Sequence, residues 1–158
     1  GPRIESAPFS RISWDQMASA YSSIAGSAFH VTQAALPHLK IRQGRIINVI
    51  STAALGRTAF HWMPYVAAKA ALHVMSKNLA QELGPSGITV NTISPSLVPT
   101  DLVSETPDRV RDAFVSRTPL RRLATVDDVA GAILLLASPY ASFITGENLL
   151  VTGGEIMI

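Results

Sequence analysis

Arg45-Ile46-Ile47-Asn48-Val49-Ile50 is the stretch whose reading decides the fold. It is a short run rich in β-branched residues, too brief for a buried helix and bounded by Gly44 before it and Ser51 after it, so it predicts a strand covered on both faces. From Met63 to Leu83 the apolar and alanine positions recur at helical spacing, and Gly84-Pro85-Ser86-Gly87 supplies the breakers that end such a helix. A second buried run, Ile88-Thr89-Val90-Asn91-Thr92-Ile93, follows at once. Strand, helix and strand joined by short links form the crossover unit of a parallel sheet, so the chain is expected to be α/β.

Outward from this unit the pattern continues. Residues 1–12 read as irregular, and Ser13 caps a helical stretch carrying Trp14, Met17, Tyr21, Ile24, Phe29, Val31 and Leu36 down to an expected stop at Pro37. Ser94 to Thr100, with two prolines, reads as loop. Pro107 to Ser116 reads as helix, Thr125-Val126-Asp127-Asp128 as a capping segment for a helix over Val129 to Ala137, and Asn148 to Thr152 as a third strand ending in Gly153-Gly154. Three strands with crossover helices are expected to leave one apolar strand edge without a neighbour.

Composition narrows the function classes. The 158 residues suffice for one modest domain; 47% are hydrophobic and 15% charged, and the mean hydropathy is +0.27. So little charge on a small domain predicts self-association as a homo-oligomer, dimer or tetramer. The net charge is +2 and the arginines are dispersed, which argues against nucleic-acid binding, with Arg121-Arg122 read as a solvated turn or phosphate contact. There is no cysteine, hence no disulfide or thiolate chemistry, and His30, His38, His61 and His73 stand at no metal-ligand spacing, so no metal site is expected. No apolar run reaches the roughly 18 residues of a membrane span, and a cytoplasmic protein is the expectation.

The chemistry lies just beyond the first strand. Tyr65 and Lys69 are four residues apart, on one face of the predicted helix. A phenol with an ordinary pKa of about 10 is a poor proton shuttle near neutrality, and a neighbouring ammonium is expected to lower it. Ser51, at the strand end, offers a hydroxyl to hold a carbonyl or alcohol oxygen beside the phenol. Thr52 competes with it. His61, Trp62 and Met63 either line a substrate pocket or merely pack, and Asn48 reads as a buried strand group paired with backbone.

Ser51, Tyr65-x-x-x-Lys69, the strand Ile88 to Ile93 followed by Ser94-Pro95, the stretch Pro119-Leu-Arg-Arg-Leu123 leading to Asp127-Asp-Val-Ala130, and Phe143-Ile-Thr-Gly146 before Gly153-Gly154 together resemble the short-chain dehydrogenase/reductase family. They look most like its 3-oxoacyl-carrier-protein-reductase members. The resemblance implies the carboxyl-terminal portion of a Rossmann-type doubly wound parallel sheet over residues 1–158, without the amino-terminal Gly-rich cofactor-binding unit; Gly1 looks like the end of the family's Asn-Asn-Ala-Gly motif. It implies NAD or NADP as cofactor and a small-molecule carbonyl or secondary alcohol as substrate. Tyr65 would be the proton donor or acceptor, Lys69 would lower the phenol's pKa and bond the nicotinamide ribose, and Ser51 would hold the substrate oxygen. The segment Pro95, Ser96 and Val98 would hold the nicotinamide carboxamide through its backbone, and the Thr100 hydroxyl would contact the cofactor.

Two positions depart from the family pattern. Ser23 stands where an asparagine usually helps hold a water linking the lysine to solvent; a hydroxyl can hold the same water, and a reduced or altered proton relay is expected. Ser96 stands where a glycine usually follows the proline, at a cost of about 1 kcal/mol if the backbone there needs positive φ and none otherwise. Both departures motivate an alternative: a non-catalytic remnant of the family serving as an oligomerisation or interaction protein.

Overall fold

The computed structural model describes residues 4, 6–55, 59–103 and 106–157. Gly1, assigned above to a motif end, lies outside them. The elements in order are α1 (Trp14–Tyr21), a π turn (Ser22–Gly26), α2 (Ser27–Arg42), β1 (Arg45–Val49), α3 (Met63–Leu83), β2 (Thr89–Pro95), α4 (Asp108–Arg117), α5 (Val126–Ala137) and β3 (Asn148–Val151). Among the described residues the strands form one parallel sheet in the order β1-β2-β3, with Val49 opposite Ile93 and Pro95 opposite Val151. The expected α/β class and the three strands are therefore observed.

Every residue of β2 is buried, as its central place requires. Side chains alternate across the sheet, so Ile46, Val90 and Ile50 meet α3 while Ile47, Ile93, Leu149 and Val151 meet α5. Val90 packs with Ala80, Leu83 and Ile88, joined by Leu36 and Leu39 from α2; Ile50 packs with Leu72 and Ala25; Ile93 packs with Leu136 and Ala141. Burying each such large aliphatic side chain contributes about 1.5–3 kcal/mol.

Four boundaries differ from the sequence reading. Pro37 does not stop its helix, because the exposed ring sacrifices one backbone bond while Leu36 and Leu39, on either side, pack into the core; α2 runs on to Arg42 and ends at Gln43, whose φ is +49°. The stretch 14–42 is not one regular helix either. At Ser22–Gly26 it widens into a π turn, where Ser23 Oγ donates to the Ala20 carbonyl (3.1 Å) and Ser27 Oγ to the Ser23 carbonyl (2.7 Å). Ser94 and Pro95, read as loop, belong to β2, since a proline is tolerated at a strand's last position and the ladder continues past it through Ser96 N–H to the Val151 carbonyl (3.1 Å). Helix α5 starts at Val126, three residues early, under a reciprocal cap between Thr125 and Asp128.

Candidate active site

The carboxyl ends of the parallel strands bring the predicted site residues to one edge of the sheet. The Ile50 N–H donates to the Ile93 carbonyl (2.8 Å), which carries the β1 pairing one step beyond the strand and delivers Ser51 beside the end of β2. Ser51 is extended (φ −159°) and its hydroxyl accepts from the Ala53 N–H (3.2 Å), capping the turn Thr52–Ala54. Ser51 is half-buried, whereas Thr52 is buried. Helix α3 then starts with Pro64 in its first turn, where a missing N–H costs nothing, and its first two turns carry Tyr65 and Lys69.

Both side chains are half-buried on the sheet side of α3. Lys69 Nζ donates to the Val49 carbonyl at 2.7 Å, bridging helix to strand, and stands 5.7 Å from the centre of the Tyr65 ring. Burial pulls the lysine below the ordinary ammonium range. Burial likewise pushes the Tyr65 phenol above 10.0, because the phenolate loses hydration, while the hydrogen bond with the Ser51 hydroxyl works in the opposite direction. The sequence expectation that Lys69 would draw the phenol down thus meets a different balance. In this arrangement desolvation wins, Ser51 is the partner that opposes it, and the ammonium is engaged by a backbone carbonyl.

What fixes α3 on the sheet is polar as well as apolar. Asn48 Nδ2 donates to Ser76 Oγ (2.9 Å), and Ser76 Oγ donates to the Leu72 carbonyl (2.7 Å). The bland reading of Asn48 as a backbone-paired group is corrected here: its amide reaches a helix hydroxyl, two turns beyond Lys69. Further along, Thr92 Oγ1 lies 3.3 Å from His73 Nδ1 and donates to Asn148 Oδ1 (2.9 Å), which also accepts from Ser94 Oγ (2.7 Å). Burial and the nearby Lys77 hold His73 below its usual 6.5.

The loop before α3 takes a strained path. His61 has φ +67°, its ring stacks on Phe60 at 3.9 Å between centroids, and its carbonyl accepts from the Ala7 N–H (3.0 Å). This aims Trp62 edge-on at Tyr65, with centroids 6.1 Å apart, so Trp62 packs on the proposed catalytic ring. Met63 is 42% exposed.

The segment after β2 holds the remaining predicted residues. Pro95 is buried at the strand end, Ser96 and Val98 are partly buried, and Thr100 is exposed, its carbonyl accepting from the Val103 N–H (3.0 Å). Ser96 is not among the described residues with positive φ, so serine there costs nothing in backbone strain. Its hydroxyl instead donates to Glu155 Oε2. The Leu97 and Val98 N–H groups donate to no backbone carbonyl among the described residues. Ser23 is not brought to the site in the manner expected: its hydroxyl is exposed and bonded within its own helix to Ala20. No group of three or more His, Asp or Glu side chains that could hold a metal occurs among the described residues, and no helix among them is long and apolar enough to cross a membrane.

Arg122 forms a bidentate pair with Asp128 (2.6 and 2.8 Å), which holds that carboxyl well below the usual range, and Arg121 occupies a turn with φ +55°. Gly153 and Gly154 pack against the residues that follow α4. Their φ values are +59° and +88°, and an added Cβ would come within 2.9 Å of Thr118 Cγ2 and 2.8 Å of Pro119 Cγ respectively. Sequence reasoning overlooked the Val49 carbonyl as the lysine's acceptor and Glu155 as the partner of Ser96. Backbone acceptors carry no residue signature, and a lone glutamate near a chain end gives no signal.

Comparison with known proteins shows the family to which this parallel sheet belongs. A family model described as enoyl-(acyl carrier protein) reductase matches residues 1–155, and the chain belongs to the short-chain dehydrogenase/reductase family. It is 41% identical over 133 residues to the 3-oxoacyl-(acyl-carrier-protein) reductase FabG of Vibrio cholerae, covering 84% of this chain and 54% of that one. It is 42% identical over 132 residues to the acetoacetyl-CoA reductase of Allochromatium vinosum, covering 83% and 53%. The chain thus spans about half the length of the curated relatives it matches. Among solved structures, a gluconate 5-dehydrogenase from Burkholderia cenocepacia in complex with NADP and tartrate superposes with TM-score 0.91 at 27% identity, over 98% of this chain and 62% of that one. A 7α-hydroxysteroid dehydrogenase complexed with NADH and 7-oxo glycochenodeoxycholic acid superposes with TM-score 0.88 at 33% identity, over 95% and 59%. The fold is accordingly a part of the Rossmann-type sheet of these oxidoreductases.

Proposed function

We propose that this chain is the carboxyl-terminal, catalytic portion of an NAD(P)-dependent oxidoreductase that interconverts a carbonyl and a secondary alcohol. The observation that carries the reading is the meeting of Ser51, just past the end of β1, with Tyr65 and Lys69 on the first two turns of α3, at the carboxyl edge of a parallel sheet, with Lys69 Nζ 5.7 Å from the centre of the Tyr65 ring and bonded to the Val49 carbonyl. In reduction, Ser51 holds the carbonyl oxygen and Tyr65 gives it a proton as the carbon gains hydride; in oxidation Tyr65 takes the hydroxyl proton back. With its phenol pushed up by burial, Tyr65 is a proton donor ready at neutral pH, which suits the reductive direction. Lys69, anchored on the Val49 carbonyl 5.7 Å from the centre of the Tyr65 ring, has two further N–H donors to offer.

The donors fit a nicotinamide dinucleotide: Lys69 for a ribose diol, and the Leu97 and Val98 N–H groups, with the Thr100 hydroxyl, for the carboxamide end. When bound, the nicotinamide would supply or accept the hydride. The names of the relatives make 3-oxoacyl thioesters the first substrates to test. Exposed Trp14, Phe29, Val31 and Leu134 are consistent with assembly as a dimer or tetramer. The test is titration of reduced and oxidised nicotinamide cofactors, by fluorescence and calorimetry, into the protein expressed from the complete reading frame that contains this chain. Saturable binding with oxidation of the reduced cofactor by a 3-oxoacyl thioester is expected; absence of any binding would end the proposal.

A further inference from the structure

The described stretches 96–103 and 106–117 leave the sheet after β2 and return through α4, a helix with no buried residue of its own. Both ends meet one carboxylate. Ser96 Oγ donates to Glu155 Oε2, and Arg117 Nε donates to Glu155 Oε1 at 2.6 Å, with the guanidinium stacked 3.7 Å from the centre of Phe114. The Glu155 side chain is only 7% exposed. A carboxylate so covered is costly unless donors replace its water, and here a hydroxyl and a guanidinium from opposite ends of the excursion do so.

Glu155 is itself rigidly mounted. Its N–H donates to the Thr152 carbonyl (3.1 Å), and the Leu120 N–H donates to the Gly153 carbonyl (3.2 Å), closing the turn after β3 against the residues that follow α4. Gly153 and Gly154 permit that contact by having no Cβ to strike Thr118 and Pro119. The pinned segment begins at the residues whose backbone groups are proposed above to hold the cofactor.

We infer that Glu155 is a positioning residue: one carboxylate pins both ends of the 96–117 excursion to the turn after β3, and so sets where backbone 96–100 lies at the edge of the active site. The pin itself is a statement about local order; its consequence for nicotinamide binding rests on the proposed function above. A pin of this kind predicts end-specific effects that a general stabilising ion pair does not.

Hydrogen exchange by mass spectrometry on the protein from the complete reading frame, without cofactor, separates the two. Glu155→Ala should speed exchange on the order of tenfold at both 97–100 and 108–117, leaving β2 and α3 unchanged. Ser96→Gly should release only the first end. Arg117→Met should release only the second, and so should Glu155→Gln, which keeps an oxygen for Ser96 but turns an amide toward the arginine. In parallel, the Kd for reduced nicotinamide, read by fluorescence, should rise on the order of tenfold in Ser96→Gly and in Glu155→Ala, and no further in the double variant. Uniform acceleration across the whole chain in each variant, or none at either end, would overturn the pin. Should Glu155→Ala not fold, the three milder variants still decide it. A wild-type protein that binds no nicotinamide would overturn the proposed function, while the exchange results would continue to judge the pin.

Discussion

Ser76 joins α3 to β1, and removing its hydroxyl should reveal how the helix that carries Tyr65 and Lys69 is held. The side chain is 2% exposed; its oxygen accepts from Asn48 Nδ2 at 2.9 Å and donates to the Leu72 carbonyl at 2.7 Å. Ser76→Ala removes only one oxygen atom, so the cavity is small. The loss is one hydrogen bond plus the cost of leaving the Asn48 amide without its acceptor inside the structure, together about 1–3 kcal/mol. The Leu72 carbonyl suffers less, since it remains an acceptor within its helix. Asn48→Val on top of Ser76→Ala replaces both partners by apolar groups and favours the strand, so the pair should recover most of the loss and lie within about 1 kcal/mol of wild type. Urea unfolding of the protein from the complete reading frame, followed by circular dichroism, measures this through the midpoint at unchanged slope. Additive effects, with the double variant less stable than Ser76→Ala by the full cost of Asn48→Val, would refute the reasoning.

Tyr65→Phe keeps the ring beside Trp62 and removes the phenol, so turnover should fall by about 10²–10⁴ while nicotinamide affinity stays near wild type; retention of turnover within a few fold would remove Tyr65 as the proton donor. His73, held below 6.5 by burial and Lys77, binds its proton less readily folded than unfolded. Its share of stability is therefore present above pH 6.5 and lost as pH falls through the folded value, so His73→Gln should flatten the dependence of the unfolding midpoint on pH in that acid window. Gly154→Ala, with φ +88° and a new Cβ 2.8 Å from Pro119 Cγ, should destabilise the protein by about 1–3 kcal/mol in the same unfolding assay. The 158 residues expressed alone should aggregate or elute as an oligomer, because β1 stands at the sheet edge and large apolar side chains such as Trp14 and Ile41 are exposed; a monodisperse monomer with a cooperative melt would contradict this.

Much of this was legible in the residues themselves. The runs 45–50 and 88–93 can bury nothing except as strands covered on both faces, and the helical repeat between them allows only a parallel crossover, so the class of the fold, and the placing of Ser51, Tyr65 and Lys69 at one edge of it, follow from local pattern. Pattern failed where distant atoms outweigh local preference. Pro37 stays helical because its neighbours reach the core, Ser94 and Pro95 stay in β2 because β3 pairs with them, and Ser23 turns to its own helix. The balance on the Tyr65 phenol was equally out of reach, since spacing places a cation nearby but only the packed structure shows how much water the phenol loses and where the ammonium points. Sequence determined which residues could do the chemistry and on which elements they ride, because helical and strand periodicity are properties of adjacent residues. Tertiary structure alone decided that Lys69 anchors on Val49, that Asn48 grips Ser76 and that Glu155 reaches Ser96 and Arg117, because each of these joins groups whose meeting depends on how whole elements pack.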